Sequence, residues 1–150
     1  MDVFTKELKR ANSQTTTIEA VRKRLRESFN EARRITGEYE INISSEEACV
    51  SSFKELQALI ISDKKNILLN SAKQGQVLKH LKSNMRGKGS FVKCIQANEI
   101  MISLSYCNFL ISFSELANQY PQIVQCSLEL KYIMTHLKQI KLVIAEVFNA

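Results

Sequence analysis

Proline and glycine are scarce in this chain and tryptophan is absent: 150 residues include one Pro, four Gly and no Trp. Proline and glycine punctuate strands and tight turns, so their scarcity excludes a fold of many short strands and favours long helices. A long apolar run is missing as well. The longest uncharged apolar stretch lies between Glu99 and Glu115. It is 15 residues long and contains four Ser and an Asn, short of the about 20 apolar residues of a membrane-crossing helix. Residues 1–12 are charged and lack an apolar core of signal-peptide length. An intracellular location, cytoplasmic or nuclear, is therefore expected, with no membrane partner.

Motifs that carry chemistry are missing too. His80 and His136 have no Cys, Asp or second His at ligand spacing, and zinc sites need three or four clustered ligands. Arg86-Gly87-Lys88-Gly89 has two glycines but neither the phosphate-loop nor the dinucleotide spacing. The nucleophile-elbow pattern is absent. Glu46-Glu47 is a carboxylate pair, but at a helix start the helix dipole accounts for it. No cofactor, no metal and no enzymatic activity are expected. The four cysteines, at 49, 94, 107 and 126, form no C-x-x-C pair, and three fall within apolar helical patterns. They read as reduced, buried thiols of an intracellular protein. The alternative is a secreted helical-bundle ligand with two disulfides.

What the sequence does have is helical periodicity. Ile123, Cys126, Leu130, Ile133, Leu137, Ile140, Ile144 and Val147 recur at alternating spacings of 3 and 4, a heptad stripe that only an α-helix places on one face. Pro121 suits a first helical position, where its missing N–H is not needed. The spacing predicts one helix over 121–147, roughly 40 Å long. A second long helix is expected over 91–117, apolar nearly all round and therefore central. Earlier in the chain, Thr16-x-x-Glu19 and Ser44-x-x-Glu47 read as capping boxes. Gly37 is a plausible helix end, Ser62-Asp63 a break, and Ser90 a cap. The expected fold is all-α: a single domain over 1–150, a bundle of about five main helices ending in a long C-terminal antiparallel helical hairpin. Residues 1–14 are expected as a short separate helix or flexible arm.

Charge is unevenly spread. Residues 64–98 carry eight basic groups and no acidic one, whereas 37–63 carry one Lys against six acids. Lys79, Lys82 and Arg86 share a helical stripe that Lys88 extends, and Arg22, Arg26 and Arg33 line a face of the first long helix. These seven residues are the candidate polyanion-binding set. Exposed aromatics among basic residues, which a single-strand platform needs, are not evident. In the last helix, Val124, Leu128 and Tyr132 form a second apolar stripe beyond the heptad seam. With Leu142 they are the candidate partner interface. The reading favoured is a non-catalytic protein–protein interaction or scaffolding module. It would bind a partner helix or peptide, or self-associate, with a homodimer as the simplest form. The alternatives are a helical protein that binds nucleic acid or an acidic protein segment through the basic face at 64–93, and the secreted ligand.

Overall fold

The computed structural model describes residues 17–28, 40–62, 66–85, 88–100 and 102–149, without the side chains of Lys88 and Asn149. Of these residues 83% are helical and none lies in a strand, far above the about one-third of an ordinary globular chain. The protein is all-α, as the scarcity of breakers implied. The arm at 1–14, the cap at Thr16 and the turn at Gly37 lie outside the described residues.

Helix α1 covers 17–28 of the described chain. It is followed by α2 (Glu46–Ser62), α3 (Ile67–Ser83), α4 (Lys88–Ala97), α5 (Leu104–Gln119), a 3-10 turn (Pro121–Gln125), α6 (Leu130–Thr135) and α7 (Leu137–Asn149). The residues fall into two compact units. One is Arg33–Gln125; the other joins the two ends of the chain, Met1–Ala32 and Cys126–Ala150.

In the Arg33–Gln125 unit the hub is α3, not the expected helix at 91–117. It packs against α2, α5 and the 3-10 turn. Nine of its 17 residues are buried, among them Asn70, Ser71, Gln74 and Gly75. A helix of such low hydrophobicity is buried because it allows close approach. A Cβ on Gly75 would overlap the Leu110 carbonyl and lie 2.7 Å from Ser114 Cβ on α5. On the α2 side, Gln74 donates its amide to Gln57 Oε1 at 2.7 Å and to the Phe53 carbonyl at 3.5 Å. Period counting ranks helices by apolar content, and it cannot register a centre built from small and amide side chains.

Both expected long helices are interrupted. The first stops at Ala97. Glu99 takes a left-handed φ of 56°, and its N–H bonds the Gln96 carbonyl at 3.2 Å while Ile100 N–H reaches Ile95 at 3.1 Å. That is the Schellman pattern that usually has glycine at this position, so a Glu there hid the stop. Ser103 then caps α5 by accepting from Tyr106 N–H at 3.1 Å. The final helix begins at Pro121, but only as the 3-10 turn, and 126–129 are non-helical before α6. His136 separates α6 from α7. Smaller shifts occur at the helix starts. Ser45, not Ser44, caps α2, accepting from Ala48 N–H at 3.0 Å. Ser90 lies inside α4 rather than ahead of it. The break expected at Ser62-Asp63 runs into residues 63–65, which lie outside the described residues; α3 starts at Ile67 after Asn66.

In the terminal unit, Arg22 of α1 pairs with Glu146 of α7 at 2.9 Å. Arg24 stands 4.7 Å above the Tyr132 ring of α6, and that ring stacks on His136 with centroids 4.2 Å apart. Val21, Leu25, Ile133, Ile140, Val143 and Ile144 are buried.

Gly75→Ala should cost about 3 kcal/mol of stability, because the overlap is with backbone and cannot be relieved by a rotamer change. A Cβ added at Gly89 on α4 would meet nothing within 4 Å, so Gly89→Ala should gain about 0.5 kcal/mol from helix propensity. Urea denaturation of the two variants checks both signs.

Candidate functional site

A groove runs along α3 in the Arg33–Gln125 unit. One wall is the connector ahead of α2. Residues 40–43 are non-helical, Glu40 and Asn42 are exposed, and Ile41 and Ile43 are half-buried. That two-residue alternation is the signature of an extended segment with one apolar edge. The connector is fastened at both ends of Asn42. Its side-chain oxygen accepts from Ser44 N–H at 3.2 Å and Ser44 Oγ at 2.8 Å, and its carbonyl accepts from Ser52 Oγ at 2.9 Å.

The other wall is polar. Gln76, Lys79, His80 and Ser83 of α3 and Asn118 at the end of α5 face Ile41 and Ile43 across a cleft of about 320 Å³. Gln76 Nε2 donates to Asn118 Oδ1 at 2.9 Å, and Ser83 Oγ donates to the His80 carbonyl at 2.8 Å. Beyond Ile43 and His80 the groove narrows to a chamber of about 130 Å³, lined by Glu46, Cys49, Asn84 and Met85 among others. His80 Nε2 and Asn84 Nδ2 lie 2.9 Å apart. With the amide donating, Nε2 accepts and the ring proton sits on Nδ1.

Two thiols flank Glu46. Cys94 donates its S–H to Glu46 Oε1 at 3.1 Å. Burial, then that hydrogen bond and the carboxylate's charge, push the Cys94 thiol from 9.0 up to about 11. Burial and Glu46 also push Cys49 up. A nucleophilic cysteine needs the opposite surroundings, a lowered pKa beside positive charge. His80 and Cys49 line the same chamber, yet this is a place that keeps a thiol protonated. All four cysteines are free and buried. Among the described residues no group of three His, Cys, Asp or Glu side chains could hold a metal ion, and no helix is long and apolar enough to cross a membrane.

The structure scatters the residues singled out from sequence. Val124 and Leu128 are buried, 3% and 5% exposed, so neither is open to a partner. The 3-10 turn that holds Val124 packs on α3 and α5, and a break that the heptad count did not register puts Leu128 outside any helix. Tyr132 is half-buried beneath Arg24. Leu142 is 67% exposed, alone of the four. In the basic set, Arg22 is paired with Glu146 and Lys79 with Glu115 at 3.4 Å. Lys82 approaches Asn108 Oδ1 at 3.5 Å and the Phe91 ring at 5.8 Å, and Arg26 is exposed. Arg33, Arg86 and the Lys88 side chain lie outside the described residues. Sequence reasoning missed the groove itself. Its sequence signal is the Ile41/Ile43 alternation, short enough to pass for a plain connector.

Fold and groove together define an all-helical protein with an open, mixed polar and apolar cleft. No family model, no curated protein and no solved structure matches the chain.

The folded Cys94 thiol ionises at higher pH than the unfolded one, so its contribution to stability is fully present below pH 9.0 and is lost as the pH rises to about 11. Stability measured by urea titration should therefore fall over that window. Cys94→Ala should flatten the fall, whatever it does to stability at neutral pH.

Proposed function

We propose that the chain is a non-catalytic interaction module whose groove along α3 receives a peptide segment of a partner protein. The observation that supports this most directly is the pairing of walls. Ile41 and Ile43 offer apolar contact opposite the amide, hydroxyl and ammonium groups of Gln76, Ser83, Asn118 and Lys79. A peptide presents both kinds of surface at once, through its side chains and its main chain. The volume, about 320 Å³, is at the lower end of binding clefts, which span about 300–1,000 Å³. That suits a few residues of a segment better than a whole helix. Thiols held protonated beside Glu46 favour binding over covalent chemistry at the narrow end.

Site-specific photo-crosslinking in lysate tests the proposal. A photoreactive residue at Ser83, on the groove, should trap a defined partner that the same residue at Lys54, on the exposed side of α2, does not. Ile43→Asp should abolish the Ser83 adduct while the circular-dichroism spectrum stays helical. Equal adducts from both positions, or an adduct indifferent to Ile43→Asp, would overturn the groove as the site.

A further inference from the structure

We propose that the chain associates with further copies of itself head to tail, the outer ridge of α2 in one copy lying along the outer ridge of α6 and α7 in the next. Both ridges lie outside the groove, so this contact stands independently of the peptide reading above.

Exposed apolar side chains are the first support. Leu59 and Ile61 near the end of α2 are 46% and 75% exposed, and Met134 and Leu142 on α6 and α7 are 43% and 67% exposed. A single exposed leucine is ordinary. Here each leucine ends a row of exposed residues spaced by four. On α2 the row is Glu47, Ser51, Glu55 and Leu59. On α7 it is Lys138 and Leu142, which Met134 of α6 precedes by four. Rows of that spacing are the ridges through which helices pack on one another.

Charge is the second support. The exposed charged residues of α2 are Glu46, Glu47 and Glu55 against Lys54, which is off the row. Those of α6 and α7 are Lys131, Lys138 and Lys141 against Glu146, and Glu146 is taken by Arg22 of α1. Among the described residues, Glu47, Glu55 and the three lysines have no ion-pair partner. One ridge is acidic and the other basic, and each carries a leucine. A contact of like ridges would set lysine against lysine or glutamate against glutamate, so the favoured contact joins the two different ridges.

The spacing sets the direction. Leu59 follows Glu55 by four residues, and Leu142 follows Lys138 by four. With the two helices parallel, Leu59 lies on Leu142, Glu55 meets Lys138, and Glu47 comes to Lys131. With them antiparallel, Glu55 still meets Lys138, but Glu47 faces Glu146. The parallel register alone avoids a like-charge contact. Because the two ridges differ, the contact is heterologous: one copy can hold two neighbours, and assembly continues beyond a pair.

Sedimentation equilibrium of the full chain provides the test. At low salt the average mass should rise with concentration, past that of two chains by about 1 mM, the range of a small transient contact. Lys138→Glu and Glu55→Lys should each weaken association at least about tenfold with the melting temperature unchanged, since both positions are exposed. An equimolar mixture of the two variants should associate again, because each supplies the charge that the other's altered ridge needs. Glu47→Gln should weaken association too; a gain would overturn the parallel register. A chain that stays monomeric throughout, or a mixture as monomeric as its two components, would overturn the contact. So would single variants that associate like the parent. In the lysate experiment above, a crosslink of the chain to itself at Lys54 reports this contact and not the groove.

Discussion

The Arg33–Gln125 unit depends on one close approach. Gly75 of α3 lies against the Leu110 carbonyl of α5 so closely that no side chain fits between them. Ser71, Ala72, Ser114 and Ala117 are small and buried on the same two helices. Interiors are packed as densely as organic crystals, and bringing two backbones together is one way to reach that density without large side chains. The cost is polar atoms in the interior. Ser71 Oγ and Gln74 Oε1 are buried without a protein partner, and each unpaired atom costs stability.

The groove is a consequence of that geometry. Because α5 sits tight on the inner side of α3, Gln76 and Asn118 come within hydrogen-bonding distance of each other, and they form one wall. Ser45 starts α2 and so fixes where the connector must end. Asn42 then holds Ile43 on the chamber that His80 and Leu81 also line. The cleft exists only while the connector, α3 and α5 keep these positions.

Helix content was legible in the sequence because it follows from local pattern and missing breakers. Element boundaries were less legible, because the stopping signal was not the usual one: Glu99, in the conformation usually taken by glycine, ended α4 unseen. The heptad stripe gave burial at five of its eight positions even though the helix behind it is broken: Ile123, Cys126, Ile133, Ile140 and Ile144 are buried, whereas Leu130, Leu137 and Val147 are half-buried. The second stripe misled, since Val124 lies in a 3-10 turn packed on α3 and α5, and Leu128 lies among the non-helical residues 126–129. The groove was illegible because it is assembled from the connector, α3 and α5, and pairwise proximity between elements leaves no trace in a single sequence. Exposed apolar residues such as Ile61, at 75%, and Leu142 are likewise a property of tertiary context.

If α3 is the structural hub and α5 is locked to it, native-state hydrogen exchange is the most direct measurement of that arrangement. The amides from Ala72 to Leu81 should exchange slowest of all those between residues 33 and 125, in one opening event shared with Leu110 to Ala117 of α5. If α3 exchanges ahead of α2 and α5, or opens independently of α5, the hub lies elsewhere and Gly75 does not organise the unit.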